Sequence, residues 1–401
     1  MQMQPKVGQF RYYPSVGSLN TYLTNMLEKI RVELPDIQRI SFALYDEKKD
    51  SIKTCADSSP VSHDFVHYEL PLANLPSLQQ SKESGALRII HDLANQAKSH
   101  TPHNRWLLEQ QYCSSLVKPV FDQHTFVGFL FFNASMSHYF SASVVERLET
   151  YLSLIQQSIC GEYALIHQLV DHVHRIETQS PEHWLHIKQH KERISRYARI
   201  IALDVADQYA LDDELIENIS QFATCHDLGK LALPADLLQK RASLANHEKE
   251  QVHNHIEYGI DLLNEVIAKL GTPHHPCLAV LREIMAYHHE FLDGSGYPFG
   301  LVSDQIPIPA RIIAVANIFD ALTAHRPYKQ AQSIPHALLE LEKMVSDGKL
   351  DRHCVNALRE NQEELKEIVA RFPEQESQGR GNHSLSASSQ SRASTKLNRL
   401  G

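Results

Sequence analysis

Two consecutive histidines open the segment 288–298, which reads HHEFLDGSGYP. Paired imidazoles beside an acidic, glycine-rich turn are hard to explain as core packing, whereas imidazole and carboxylate groups together bind divalent metal ions well. The chain contains 25 histidines, so a single histidine carries little information. The combination of His, Asp, Gly and Pro in one short segment therefore indicates a metal site in the C-terminal half.

A second segment, residues 225–234, reads CHDLGKLALP. His226 and Asp227 offer one imidazole and one carboxylate from the end of a predicted helix, and a carboxylate can bridge two ions. Gly229 permits a tight turn, which leaves Lys230 near the metal as a phosphate contact. Standing alone, this motif would be better explained as a buried His–Asp pair in a helical bundle.

Two more histidines occupy helical positions, His190 in HKERISRYARIIA and His255 in HNHIEYGIDLL. Apolar residues recur at three- and four-residue steps through much of 182–371, which is typical of helices. The predicted site is therefore assembled by helices that are distant in sequence and converge in space.

In their order and spacing, these segments resemble the HD-GYP family of phosphodiesterases, as do IPIPARIIAVA (306–316) and FDALTAHRPYK (319–329). The match covers nearly half of the chain. It implies that residues 181–371 form an all-α, HD-type helical bundle that hydrolyses a cyclic dinucleotide. Two divalent metal ions, or three, would serve as cofactors, and the donor set suits iron or manganese.

The same resemblance assigns roles to individual residues. The implied metal ligands are His190, His226, Asp227, His255, His288 and His289. Asp227 and Lys230 are the implied catalytic residues. The implied substrate-binding residues are Lys230, Arg326, Lys329, Tyr297 and Asp320. Of these, Tyr297 belongs to the GYP loop, which looks structural in part, and Asp320 could equally cap local backbone.

Two departures from the family pattern bear on the metals. Asn317 stands where the family usually has a metal-binding aspartate, and an amide oxygen coordinates weakly and without charge. Members with a third metal carry a glutamate one helical turn before the first histidine, and here that position is His186. Residues four apart share a helix face, so His186 could still face the metals.

Three functions compete on these residues. The first is hydrolysis of cyclic di-GMP to a linear dinucleotide and onward to GMP, with 3′,3′-cyclic GMP-AMP as the rival substrate. The second is a receptor that binds the cyclic dinucleotide without cutting it. The reason to consider it is Asn317, which stands in place of a metal-binding aspartate. The third is an HD-type nucleotidase acting on a mononucleotide, which is less favoured because such enzymes lack the longer GYP segment.

The N-terminal residues 1–160 are predicted to form a mixed α+β domain. A helix is expected over 18–32, and two strand pairs over 40–45 with 51–55 and over 114–120 with 125–133. The element order and the closing pattern resemble a GAF domain, a sensor of an unknown small ligand or protein. A plain α+β dimerisation module would fit the pattern nearly as well.

A predicted connector helix, residues 161–180, continues an apolar stripe that starts near residue 148 and is interrupted by Glu162. Such a stripe suits packing against a second copy in a homodimer, or packing on the chain's own domains. The tail 372–401 is rich in Ser, Gly, Asn and Arg and is predicted to be disordered.

The composition of the chain limits its possible binding partners and its expected location. The net charge of −9 argues against binding long nucleic acid, which requires a dense basic surface. The sequence shows no apolar run of membrane-spanning length and no signal peptide. Six scattered cysteines without a CxxC pair suggest reduced thiols. We therefore expect a cytoplasmic protein.

Overall fold

The computed structural model describes residues 18–59, 67–96, 102–178, 184–238, 240, 242–270, 275–324 and 331–373. Residues 374–401, which hold most of the tail predicted to be disordered, lie outside these ranges. All six cysteines lie within these ranges, and none of them forms a disulfide bond. None of the described helices combines the length and apolarity that crossing a membrane requires.

One antiparallel sheet of six strands organises the N-terminal half. The strands are β1 Ile37–Asp46, β2 Ser51–Asp57, β3 Glu69–Pro71, β4 Arg88–Ile90, β5 Ser114–Asp122 and β6 Thr125–Ala134. Their order across the sheet is β3-β2-β1-β6-β5-β4. Both predicted strand pairs are confirmed, since β1 pairs with β2 and β5 with β6. The α+β class predicted for this half is confirmed by the sheet and the helices packed on it.

Helices cover both faces of the sheet. They are α1 Leu19–Glu33, α2 Pro76–Ser84, α3 Leu93–Gln96, α4 Pro102–Glu109 and α5 Ala142–Thr178. Apolar side chains of α1 and α5, such as Leu23 and Leu152, pack with Phe132 of the sheet on one face. Leu78 of α2 packs with Phe129 on the other face. The hydroxyl of Ser18 accepts a hydrogen bond from the Thr21 N–H and caps α1.

The predicted connector is part of one continuous helix of 37 residues, α5. Residue 160, the expected end of the N-terminal domain, lies inside this helix. Its stripe is buried within the chain itself: Ile159 packs in the core of the sheet domain, and Leu165 and Val173 pack in the helical core. The stripe therefore has neighbours without a second copy, and the homodimer stays a prediction.

The described residues from 184 onward form a helical bundle, which confirms the predicted all-α class. Its helices are α6 Trp184–Asp204, α7 Ala206–Tyr209, α8 Asp213–Phe222, α9 Ala235–Leu238, α10 Asn246–His253, α11 His255–Leu270, α12 Cys277–Tyr287, α13 Ile308–Thr323, α14 Ile334–Ser346, α15 Arg352–Glu360 and α16 Gln362–Arg371. One apolar core joins α5, α6, α8, α11, α12 and α13 through residues such as Ile201, Phe222 and Phe319.

Ion pairs join the sheet domain to this bundle. Lys53 Nζ on β2 lies 2.7 Å from Glu217 Oε2 on α8, and both side chains are buried. Arg199 on α6 contacts both Glu217, at 3.4 Å, and Glu69 of β3, at 3.3 Å. The sheet therefore contacts two helices, α6 and α8, that lead into the predicted metal site.

Candidate metal centre

A close approach of two backbones brings the first two ligand segments together. After α8, a short 3-10 turn over Ala223–Cys225 presents His226 and Asp227. The chain then packs against the start of α11 so tightly that a Cβ atom on Gly229 would overlap the carbonyl oxygen of His255. Glycine at 229 therefore lets Asp227 lie beside His255, which is the role expected of a residue that permits close packing.

The six predicted ligands form two donor groups that share Asp227. One group is Asp227, His255, His288 and His289; the other is His190, His226 and Asp227. Within each group, the candidate ligand atoms lie within 4.8 Å of one another.

The two carboxylate oxygens of Asp227 face different groups. Oδ2 lies 3.1 Å from His226 Nε2 and 4.0 Å from His190 Nε2. Oδ1 lies 3.5 Å from His255 Nε2 and 3.7 Å from His288 Nε2. This is the arrangement expected of a carboxylate that bridges two cations.

Several buried polar atoms at this point make no hydrogen bond within the described part of the chain. They are Nε2 of His226, His255 and His288, and Oδ1 of Asp227. Leaving buried polar atoms without partners is costly, and native proteins rarely do so. Four such atoms that converge on one place fit divalent cations as their missing partners, so the residues present suit the implied metals.

Hydrogen bonds at the other ring nitrogen orient most of the imidazoles. Nδ1 of His226, His255 and His288 lies 2.8, 2.6 and 2.9 Å from the carbonyl oxygens of Ala223, Val252 and Ile284, respectively. Nδ1–H donation to these carbonyls leaves Nε2 free to bind metal, which is the usual arrangement around metal-binding histidines.

The ring of His190 is held by Asp320. Its Nδ1 lies 2.7 Å from Asp320 Oδ2, and Arg193 Nε donates to Asp320 Oδ1 at 2.5 Å. Asp320 is only 1% exposed, and both of its carboxylate oxygens lie within hydrogen-bond distance of His190 or Arg193. This geometry suits a carboxylate that positions His190, and the role of Asp320 in substrate binding stays a prediction. Sequence reasoning missed Arg193, although its place three residues after His190 on one helix face was a usable signal.

Burial affects the protonation of three of the candidate ligands, His255, His288 and His289. Burial lowers the pKa of His255 to about 4, and burial likewise lowers the pKa of His288 and His289. Burial alone would raise the pKa of Asp227, but His226 and Lys230 outweigh it and hold that pKa well below its usual value. At neutral pH these histidines are therefore neutral and Asp227 is ionised, as metal binding requires.

The remaining predicted residues divide into those near the donor groups and those outside the described residues. Lys230 Nζ lies 2.6 Å from Asp227 Oδ2. Tyr297 stacks on the ring of His289. Asn317 lies three residues before Asp320 on α13 and so shares its helix face. Residues 325–330, with Arg326 and Lys329, and the side chain of His186 lie outside the described residues.

Comparison with known proteins adds a family match for the helical half. Residues 184–354 match the model of the HD domain family. Curated proteins similar to this chain include two phosphodiesterases with different named substrates. The cyclic di-GMP phosphodiesterase response regulator RpfG of Xanthomonas campestris is 39% identical over 38% of this chain and 39% of its own length. The 3'3'-cGAMP-specific phosphodiesterase 2 of Vibrio cholerae is 38% identical over 39% of this chain and 28% of its own length.

A third relative, a cyclic di-GMP phosphodiesterase of Thermotoga maritima, is 34% identical over 42% of this chain and 44% of its own length. The chain thus spans less than half the length of these relatives. Among solved structures, the GAF domain of a two-component sensor histidine kinase from Bacillus halodurans aligns with 37% of this chain and 99% of its own, at 19% identity and a TM-score of 0.32.

Proposed function

We propose that this chain, whose residues 184–354 match the HD domain family, is a metal-dependent phosphodiesterase that hydrolyses a cyclic dinucleotide. Cyclic di-GMP is the first candidate substrate and 3′,3′-cyclic GMP-AMP is its rival, because the relatives are named for one or the other. The proposal depends mainly on the arrangement of Asp227, whose carboxylate presents one oxygen to each of two donor groups.

Divalent ions at this centre, iron or manganese by the chemistry of the donors, would supply Lewis acidity toward a water molecule and a phosphoryl oxygen. The chain's own residues prepare the place for that chemistry. The neutral imidazoles of His255, His288 and His289 and the ionised carboxylate of Asp227 leave the site able to accept positive charge. The Lys230 side chain is 37% exposed, so its ammonium can reach a substrate phosphate from the solvent side and stabilise developing negative charge.

In the proposed reaction, the oxygen of a water molecule bonds to phosphorus while the bond from phosphorus to the ribose 3′-oxygen breaks. The attacking water loses one proton and the displaced 3′-oxygen takes up one, so a linear dinucleotide with a 5′-phosphate leaves the site. A second hydrolysis of the same kind would release mononucleotides. Arg326 and Lys329 are proposed as additional phosphate contacts from their motif positions.

The test is to incubate the purified, Mn²⁺- or Fe²⁺-loaded protein with cyclic di-GMP and to separate the products by chromatography. Asp227→Asn should reduce turnover by about a thousandfold or more, because the charge shared by both donor groups is lost. Asp261→Asn, at an exposed position on α11, is the matched control and should retain turnover. Absence of linear product with every divalent metal tried would contradict the proposal. Parallel assays with 3′,3′-cyclic GMP-AMP and with GMP decide the substrate class.

Asn317 is the feature that favours the alternative of a receptor without turnover. Because the six candidate ligands already form two groups that share Asp227, we expect Asn317→Asp to change kcat by less than about tenfold. Asn246→Asp, at an exposed position on α10, serves as the control for an added negative charge. A gain of about a hundredfold or more in the Asn317 variant would instead mean that the natural chain is a receptor with crippled turnover.

For the sheet domain, we propose a sensory role toward an unidentified small ligand or protein, with a homodimer as the working assembly. The ion pairs from β2 and β3 to α6 and α8 support such a role, because they join the sheet to helices next to the metal ligands. Analytical ultracentrifugation of the full chain tests the assembly.

A further inference from the structure

His289 differs from the other four candidate metal-binding imidazoles. Each of those four has Nδ1 within hydrogen-bond distance of a carbonyl or carboxylate oxygen. Within the part of the chain that the structure describes, the ring of His289 makes no such bond. The terminal torsion of a histidine is broad, so a ring without this restraint would present its nitrogen to a metal in only some of its orientations.

An aromatic ring instead packs against the face of the His289 imidazole. Tyr297 stacks on His289 with a centroid distance of 4.6 Å and an interplanar angle of 21°. His253 stacks on Tyr297 at 3.7 Å and 10°. Among the described residues no ring contact joins His253 directly to His289, so Tyr297 lies between them. The three rings form a column, which we call the 253–297–289 column.

The middle ring is fixed by the loop that carries it. The backbone N–H of Tyr297 donates to the carbonyl oxygen of His289 at 3.1 Å. The buried carboxylate of Glu290 accepts hydrogen bonds from the N–H groups of Phe299 at 2.7 Å and Leu301 at 3.0 Å. A Cβ atom on Gly296 would overlap the backbone of residues 289–291, so glycine is required for this close approach. The loop is therefore folded back onto the segment that carries the paired histidines.

We propose that His253 and Tyr297 are positioning residues that hold the His289 imidazole in the plane needed for metal binding. Stacking would restrict the orientation of the His289 ring, as a hydrogen bond at Nδ1 restricts the rings of the other four imidazoles. His253 ends α10 and precedes His255 by two residues, so the column also ties together two ligands of the same donor group. Disrupting the column should weaken metal binding at the group formed by Asp227, His255, His288 and His289. Metal binding at the group formed by His190, His226 and Asp227 should stay nearly unchanged.

This inference rests on the proposed metal centre, and its test needs no substrate. Metal-free, full-length protein is titrated with Mn²⁺, with binding followed by calorimetry and by electron paramagnetic resonance. His253→Ala should weaken one of the two binding steps about tenfold and leave the other nearly unchanged, as loss of support behind a ligand does elsewhere. His253→Phe and Tyr297→Phe keep flat rings in the column and should bind Mn²⁺ like the wild type.

Matched controls separate positioning from a general loss of folding. His247→Ala removes an exposed histidine from the same helix, α10, and should leave both binding steps unchanged. The proposal is overturned if His253→Ala binds both ions as tightly as the wild type, or if His253→Phe is as defective as His253→Ala. A wild-type protein that binds two ions without hydrolysing a cyclic dinucleotide would contradict only the proposed function. A wild-type protein that binds no Mn²⁺ would overturn both.

Discussion

Asp320 is buried behind His190, and its carboxylate also accepts a hydrogen bond from the guanidinium of Arg193. Burial would raise the pKa of Asp320, but hydrogen bonds from His190 and Arg193 outweigh it and lower that pKa to about 2. The carboxylate is thus ionised across the neutral range and orients one ligand imidazole while balancing a guanidinium that is 2% exposed.

Asp320→Asn keeps the shape of the side chain but removes the charge. We expect Mn²⁺ affinity at the group formed by His190, His226 and Asp227 to fall about tenfold to a hundredfold, because His190 loses its orienting partner. The free energy of unfolding should fall by about 3 kcal/mol, since the buried guanidinium of Arg193 loses its ion pair with Asp320. Calorimetric titration and urea unfolding measure the two effects, with exposed Asp347→Asn as the control. Wild-type metal affinity in the variant would contradict the assigned role.

At the scale of elements, α5 carries an acidic residue in its buried stripe. Glu162 makes a side-chain hydrogen bond to Glu214 at the start of α8. Glu214 also accepts hydrogen bonds from the backbone N–H groups of Leu19, at 3.0 Å, and Asn20, at 3.1 Å. Burial raises the pKa of Glu162 to about 7, and burial with the charge of Glu162 raises that of Glu214 to about 8. The two helices and the start of α1 therefore meet at a pair that shares protons at neutral pH.

This pair predicts a loss of stability with rising pH. Because the folded-state pKa values exceed the unfolded value near 4.5, the contribution is fully present below pH 4.5 and is lost as pH rises through 7 to 8. Glu162→Gln removes one ionising group, so its free energy of unfolding should exceed that of the wild type by at least about 1 kcal/mol at pH 8, with a smaller difference at pH 5.5.

Urea unfolding of metal-free protein at the two pH values measures the difference between wild type and Glu162→Gln. Glu265→Gln, at an exposed position on α11, controls for a general change of charge. Parallel pH profiles of wild type and Glu162→Gln would rule out proton sharing by this pair.

At the scale of the whole molecule, ion pairs link the sheet domain to the helical bundle. Glu217 forms ion pairs with Lys53 of the sheet and with Arg199 of its own bundle. Burial would raise the pKa of Glu217, but these two cations outweigh it and lower that pKa. Because Glu217 pairs with a cation from each half, the stability of the sheet domain and that of the bundle depend on each other.

A double-mutant cycle tests this coupling. Lys53→Met should destabilise the protein by about 2 kcal/mol, because buried Glu217 loses its nearer cation. In combination with Glu217→Gln, the coupling energy should be about 1 kcal/mol or more. The exposed pair Lys343 and Glu340 on α14, 2.7 Å apart, is the matched control and should show a coupling near zero. Additive effects of Lys53→Met and Glu217→Gln in chemical unfolding would contradict the arrangement of the two halves.

The local features of this protein were determined by its sequence alone. Strand pairs such as β5 with β6 follow from alternation around a short turn, and the helices follow from apolar residues at three- and four-residue steps. Adjacent residue types, His226 with Asp227 and His288 with His289, indicated a metal site because the chemistry needed is carried within a few residues of chain. The individual ligands were implied by the family resemblance and stay a prediction.

Only the tertiary structure decided how those segments meet. Which oxygen of Asp227 faces which imidazole, that Asp320 lies behind His190, and that Glu162 meets Glu214 all join residues that are distant along the chain. Local patterns carry no information on such pairs, because the packing of whole helices and the close approach at Gly229 set the distances between them.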